Sequence, residues 1–157
     1  MIPSRILVMR HAEKPDDPMN HDLSEAGHAR ADRLAGYIPP TFGTPEFLFA
    51  SALSEHSARS IETITPLSKQ IGVPINATFA DQDYRALAYE IVSQPRFTGK
   101  LVLICWHHGN IPSLMLALRA KPDEFPDPWD PAIFNLILRL DYNDPAHPNL
   151  VKVIEPF

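Results

Sequence analysis

Ile6-Leu7-Val8-Met9-Arg10-His11-Ala12-Glu13-Lys14 is the stretch of sequence that decides the fold. Its first four residues form a short apolar run with a β-branched member, which predicts a buried strand. The run stops at Arg10 and His11, and ligands of open α/β sheets bind just beyond the carboxyl ends of strands. Arg10 offers a planar set of donors suited to phosphate or carboxylate, and His11 can act as acid, base, nucleophile or metal ligand. A surface turn containing Arg and His explains this stretch equally well when it is taken alone.

Apolar runs that predict strands alternate with segments of helical spacing along the rest of the chain. The predicted strands are 6–9, 47–50, 74–79, 101–106, 133–141 and 150–154, and the predicted helices lie in 24–38, 61–71, 83–92 and 111–118. Ser24 is the expected N-cap of the first helix, which is expected to end before Pro39. Pro66 is expected to strain the second helix, and Gly72 to end it.

This order of elements predicts the α/β class. Alternating strands and helices give a mostly parallel, doubly wound sheet with helices on both faces. The last two predicted strands are joined by the short link 143–149, so they form an antiparallel hairpin at one edge of the sheet. The 157 residues are most simply one domain, 1–157.

Composition excludes several classes of function. The chain has 14 basic and 19 acidic residues, a formal charge of −5, so neither a nucleic-acid partner nor a membrane partner is expected. No apolar stretch reaches transmembrane length and the first residues do not resemble a signal peptide, which predicts a cytoplasmic protein. The single cysteine, Cys105, lies in an apolar run and is expected to be buried.

Polar residues follow three of the predicted strands. Arg10 and His11 follow the first, Arg59 comes soon after the second, and His107 and His108 follow the fourth. Carboxyl ends of parallel strands lie at the same edge of a sheet, so these side chains are expected to meet near the amino ends of two helices. The best-fitting ligand is a phosphoryl group, because its oxygens accept bidentate arginine bonds and imidazolium donors.

Four motifs in this order resemble those of the histidine phosphatase superfamily, the phosphoglycerate-mutase-like fold. Arg10-His11-Ala12 resembles the Arg-His-Gly signature, and Leu23-Ser24-Glu25-Ala26-Gly27 resembles the helix start that follows it. The segment from Ser51 to Thr63 resembles the Ser-x-x-x-Arg-x-x-x-Thr stretch, with a longer spacing before its arginine. Trp106-His107-His108-Gly109-Asn110-Ile111 resembles the segment that carries the second histidine of the family.

The resemblance implies a role for each matched residue. His11 would be the nucleophile that takes the phosphoryl group, and Arg10, Arg59 and His107 would bind phosphate. Counting back from the isoleucine of the last motif assigns the family histidine to His107, with His108 beside it as a further phosphate contact. The resemblance implies neither a metal nor another cofactor.

The proton donor of the family has no clear match in the sequence. Asp81, Asp83 and Glu90 lie in the right part of the chain, and His108 is a further candidate. We favour Asp81 or Asp83 as the group that protonates the leaving alcohol.

The sequence therefore predicts a metal-independent phosphomonoester hydrolase that forms a phosphohistidine at His11. Its substrate would be a small-molecule or peptide phosphomonoester, and inorganic phosphate would be a product. A phosphomutase of the same superfamily and a non-catalytic phosphate-binding domain remain alternatives. A metal pair at His107 and His108 is disfavoured, because adjacent side chains of a strand point to opposite faces.

Overall fold

Six strands form a single sheet in the structure, a computed structural model that describes residues 2–157. The strands are β1 (Arg5–Arg10), β2 (Phe47–Ala50), β3 (Ile75–Asn76), β4 (Leu101–Trp106), β5 (Leu136–Asp141) and β6 (Asn149–Ile154). Their order across the sheet is β3-β2-β4-β1-β5-β6. The first four strands are parallel, whereas β5 runs antiparallel to both β1 and β6. This arrangement confirms the predicted fold class, including the antiparallel hairpin at the edge.

Four helices cover the two faces of the sheet. They are α1 (Glu25–Phe42), α2 (Arg59–Ile71), α3 (Tyr84–Ser93) and α4 (Ile111–Ala117). Successive side chains of a strand point to opposite faces, so β1 contributes to two cores. Leu7 and Met9 belong to the core that includes residues of α1 and α2, while Ile6 and Val8 belong to the core that includes residues of α3 and α4. Cys105 is fully buried, as predicted.

The first helix is longer than predicted. It begins after Ser24, whose hydroxyl accepts a hydrogen bond from the Gly27 amide at 3.0 Å, but it runs through Pro39 and Pro40 to Phe42. Pro39 has no N–H to donate to the carbonyl of Ala35, four residues earlier. The Gln70 side-chain amide donates to that carbonyl instead, at 2.7 Å. A bond from α2 therefore replaces the one that proline removes.

Two strands are shorter than predicted. β3 has only two residues, and β5 begins at Leu136, three residues after the predicted start at Ile133. The carbonyl of Ile133 accepts a hydrogen bond from the Trp129 indole at 3.1 Å, so it is turned away from strand pairing. By contrast, α2 continues through Pro66, and Gly72 ends it in the left-handed conformation at φ 71°, as predicted. Of the helices in residues 2–157, none combines the length and apolar character that crossing a bilayer requires.

Candidate active site

The parallel strands β1 and β4 end side by side, because their last residues are paired. Arg10 pairs with Trp106, and the His11 amide donates to the Trp106 carbonyl at 3.1 Å, which extends the pairing by one residue. His11 and His107 are the next side chains of the two strands. Their ring centroids lie 5.2 Å apart in an edge-to-face arrangement. Two imidazoles separated by 96 positions in the sequence therefore share one edge of the sheet.

The His11 ring is held in one orientation by the backbone. Its Nδ1 donates to the carbonyl of Ala12 at 2.7 Å, so the proton of the neutral ring lies on Nδ1 and Nε2 keeps its lone pair. Only 2% of His11 is exposed. Burial lowers its pKa from 6.5 to about 3, and the charges of His107, Arg10 and Arg59 act in the same direction. The ring is therefore neutral at physiological pH, as an attacking nitrogen must be.

The turn after β1 is attached to the first turn of α2. The Ala12 amide donates to the hydroxyl of Thr63 at 2.9 Å, and that hydroxyl donates to the carbonyl of Arg59 at 2.7 Å. Ala12 stands where the resembled motif has glycine, and its small side chain is fully buried. The link keeps the backbone that orients His11 next to the helix that carries Arg59.

Arg10 is buried with part of its guanidinium unpartnered. Nη1 donates to the carbonyls of Pro131 at 2.6 Å and Ile133 at 3.4 Å, whereas Nε is buried without a hydrogen-bond partner in the described residues. Burial and the charge of Arg59 lower the pKa of Arg10 to about 10. A buried donor without an acceptor is costly unless a ligand supplies one.

Arg59 is the first residue of α2 and is held by carbonyls of the loop before α1. Its Nε donates to Asp22 at 3.1 Å, and its Nη2 donates to Asn20 at 2.6 Å. The same loop is joined to α2 by the amide of Ala58, which donates to the carbonyl of His21. Arg59 is therefore fixed in place, and its charge reaches the rings of His11 and His107.

The four proton-donor candidates occupy different places. The carbonyl of Asp81 accepts bonds from the Trp106 indole at 3.0 Å and from Asn110 at 3.4 Å, and its Oδ1 is buried without a partner in the described residues. Burial is the main influence on the pKa of His107 and lowers it below 6.5. The charge of Asp81 acts in the opposite direction and raises it. Asp81 therefore faces the histidine pair.

The remaining candidates lie further out. Asp83 is exposed, and Glu90 forms a 3.1 Å ion pair with Arg96. His108 is half-buried, and its pKa is lowered by burial, then by nearby positive charges. Asp81 is the carboxyl group of this set that the fold directs towards the histidines.

Solved structures of similar fold were found at low sequence identity. The protein assigned as the phosphohistidine phosphatase SixA from Agrobacterium tumefaciens has a TM-score of 0.67 and 17% identity, over 97% of this chain and 99% of that chain. A mycobacterial glucosyl-3-phosphoglycerate phosphatase bound to inorganic phosphate has a TM-score of 0.62 and 16% identity, over 98% and 97%. The protein histidine phosphatase SixA bound to tungstate has a TM-score of 0.64 and 16% identity, over 96% of each chain.

These solved structures belong to the histidine phosphatase superfamily and share its phosphoglycerate-mutase-like fold. The chain has this same fold. No protein-family model matches the sequence, and no curated protein matches it either. The resemblance seen in the motifs is thus joined by a likeness of architecture along nearly the whole chain.

Arg59 lines two cavities of the protein. One, of about 400 Å³, is lined on the Asp81 side by Ala52, Leu53, Ser54, His56, Ser57, Arg59, Ala80, Asp81, Gln82 and His107. The other, of about 540 Å³, is lined by Lys14, Pro15, Asp16, Asp17, Pro18, His56, Arg59, Pro131 and Phe134. His107 itself lines the smaller cavity, and Phe134, whose ring lies 6.3 Å from that of His11, lines the larger one.

One part of the site was not predicted from the sequence. Pro131, Ile133 and Phe134 contact Arg10, although residue 131 lies outside the predicted elements and residues 133 and 134 were predicted to start a strand. Their contribution comes from two carbonyl groups and one aromatic face. The sequence carries no pattern that distinguishes such contacts from ordinary packing.

Within residues 2–157, no group of three or more His, Cys, Asp or Glu side chains is gathered closely enough to hold a metal ion. His107 and His108 accordingly lack a third ligand in the described part of the chain. The side chains that do gather at this edge, two guanidinium groups and two imidazoles, favour an anion.

Proposed function

We propose that this chain is a phosphomonoester hydrolase of the histidine phosphatase superfamily, acting through a covalent phosphohistidine at His11 and without a metal. The observation that carries the proposal is the state of His11. It is buried and neutral, its Nδ1 is fixed by the Ala12 carbonyl, its ring lies 5.2 Å from that of His107, and the charges of Arg10 and Arg59 act on it. The likeness to solved phosphatases supports the same conclusion.

The reaction has two steps. First, Nε2 of His11 attacks phosphorus, the bond from phosphorus to the ester oxygen breaks, and the leaving alcohol takes a proton. Water then attacks the phosphorus and gives a proton back to the group that protonated the alcohol, the bond from nitrogen to phosphorus breaks, and inorganic phosphate is released with His11 restored. Because Nδ1 already donates to a carbonyl, the ring keeps its orientation through both steps.

Stabilisation of the transferring group falls to Arg10, Arg59 and His107. Charge spread over the phosphoryl oxygens is the main target of catalysis in phosphoryl transfer. The Nε of Arg10 is buried and has no partner within residues 2–157, so a phosphoryl oxygen would supply the missing acceptor. His107 stands beside the nucleophile, where its ring can donate to another oxygen.

Asp81 is the proton donor in this proposal. Asp81 lines the same cavity as His107 and Arg59, and its Oδ1 is buried without a partner among the residues that the structure describes. Because the donor must face the leaving oxygen, the leaving group would occupy this cavity, along Ser54 and Gln82. Asp83 has an exposed position and is left without this role.

A hydrolase is favoured over a phosphomutase by the charges around the cavities. A mutase must hold a second anionic group of its substrate and keep water from the phosphoenzyme. The two cavities are lined by the cations Lys14 and Arg59 and by the acidic residues Asp16, Asp17 and Asp81, and Arg59 is assigned here to the transferring phosphoryl group. Such a rim repels a second phosphate or a carboxylate, so the substrate would be a neutral, cationic or bulky phosphomonoester.

The proposal treats 1–157 as a single cytoplasmic domain, with a small-molecule or peptide phosphomonoester as its substrate. The test measures phosphate release from p-nitrophenyl phosphate, phosphoglycerates and a panel of monoesters, and follows isomer interconversion separately. Hydrolysis should continue in the presence of a chelator. It should be abolished in His11→Ala and retained in His147→Ala, an exposed histidine outside the site.

The outcomes separate the alternatives. Isomerisation faster than phosphate release would establish the mutase. Phosphate binding without turnover on any ester would establish the non-catalytic domain. Strong inhibition by the chelator would restore a metal-dependent reaction.

A further inference from the structure

The segment before β5 packs against the buried face of Arg10. The Nη1 donor of Arg10 is bound by the carbonyls of Pro131 and Ile133, at 2.6 and 3.4 Å. In a guanidinium group, Nε and Nη2 form one edge and Nη1 lies away from it. Anchoring Nη1 therefore leaves free the edge that binds an oxyanion with two parallel bonds.

Phe134 completes this contact. The central carbon of the Arg10 guanidinium lies 3.9 Å from the centroid of the Phe134 ring, well within the range of a cation–π interaction. The same ring lies 6.3 Å from the ring of His11. Phe134 also lines the larger cavity, together with Lys14 and Arg59. It thus contacts the buried arginine and adjoins both the nucleophile and the space open to substrate.

Arg10 needs such support before any anion arrives. It is only 3% exposed and carries a positive charge close to that of Arg59. The groups in direct contact with it are neutral, namely two carbonyls and an aromatic face, whereas Asp130 and Glu13 act from a greater distance. Without the ring, repulsion from Arg59 and the pull of water would favour other rotamers of Arg10.

We propose that Phe134 is a positioning residue, whose ring face holds Arg10 with its Nε edge directed at the phosphoryl group. The effect expected on kcat/KM rests on the proposed function. The effect expected on phosphate affinity requires only that Arg10 binds an anion. The negative face of the ring offsets the buried charge, and the ring occupies the space into which the guanidinium group would otherwise turn. Phosphate then finds the donors already in place.

Fluorination weakens the negative electrostatic potential of the ring face while it keeps the shape of the ring. Full-length protein is made with 4-fluoro-, difluoro- and pentafluorophenylalanine at position 134, together with Phe134→Tyr and Phe134→Leu. Phosphate affinity is measured by calorimetry, and kcat/KM on p-nitrophenyl phosphate. We expect both to fall stepwise with fluorination, by about tenfold for the pentafluoro ring and for leucine, whereas tyrosine stays within about twofold.

A matched control is the same fluorinated series at Phe47. This ring is half-buried and makes an edge contact with Phe97 at 4.6 Å, at the opposite end of the sheet. Neither phosphate affinity nor turnover should change there. Because fluorination preserves the ring, the variants at position 134 should fold even if the leucine variant does not.

Three outcomes are decisive. Equal phosphate affinity across the fluorinated series would overturn the inference, since a packing role is insensitive to the charge of the ring face. A stepwise loss of phosphate affinity in a protein that lacks turnover would uphold the inference and overturn the proposed function. A wild-type protein that does not bind phosphate would overturn both.

Discussion

Asp81→Asn is the substitution that most sharply tests the proposed chemistry. The Asp81 side chain makes no hydrogen bond within residues 2–157, and its Oδ1 is buried, so the amide replaces it without breaking a bond. The free energy of unfolding should therefore stay within about 1 kcal/mol of wild type. General acid catalysis contributes about 10²- to 10⁴-fold, so kcat/KM on alkyl phosphates should fall by about 10³-fold.

The leaving group decides how large the loss is. p-Nitrophenolate needs little protonation, so the same variant should lose less than about tenfold on p-nitrophenyl phosphate. A small loss remains because Asp81 lines the same cavity as His107 and Arg59, so replacing its carboxyl group changes the surroundings of the phosphoryl group. The assay is a plot of log kcat/KM against the pKa of the leaving alcohol, which should be steeper for the variant.

Matched controls come from the other acidic candidates. Asp83→Asn and Glu90→Gln remove one negative charge each from the same part of the chain, at an exposed position and at a surface ion pair. Both should behave as wild type on every ester. An unchanged slope for Asp81→Asn would refute the assignment of the acid, and a steep slope for either control would move the role there.

Three predictions concern stability, each measured by urea denaturation. Gly27→Ala should cost at least about 2 kcal/mol, because the added Cβ would lie 2.2 Å from the carbonyl of Glu13, whereas Gly36→Ala meets no atom within 4 Å and should be neutral or stabilising. Gln70→Ala should cost about 1 kcal/mol, since it leaves a carbonyl of α1 without a donor. The wild type should lose stability as pH falls from 6.5 towards about 3, because the unfolded chain protonates His11 while the folded chain does not; His11→Asn should lose less. Equal pH dependence of the two proteins would contradict the buried, neutral state.

The sequence predicted the fold because its strongest signals describe the central strands. The runs at 6–9 and 101–106 are apolar throughout, and the structure buries them on both sides as neighbours in the sheet. The end of α1 could not be predicted in the same way, because the helix continues through its two prolines. The Ala35 carbonyl that Pro39 leaves without a backbone donor is bound by Gln70, more than thirty residues away.

The site was predictable where side chains follow strand ends. His11 and His107 come directly after paired strands, so their proximity follows from the register of β1 and β4. The choice between Asp81 and Asp83 depends on which of two nearby carboxyl groups turns inwards. That choice is made by the Trp106 indole, which binds the Asp81 carbonyl, a contact across 25 positions that no local pattern records.

Each of the two arginines of the site is held by carbonyl groups of a loop distant from it in the sequence. Arg59 is bound by carbonyls of residues 20 and 22, and Arg10 by carbonyls of residues 131 and 133. Two guanidinium groups near each other repel, which is part of the reason that the pKa of Arg10 is lowered to about 10. The carbonyl groups hold both cations in place at the cost of this repulsion. Because Nε and Nη2 of Arg59 already donate to carbonyls, Arg59 contributes chiefly its charge, whereas the Nε of Arg10 has no partner within residues 2–157 and can donate to an anion. A phosphoryl group relieves the repulsion, and its charge should therefore bind more tightly here than to two flexible surface arginines.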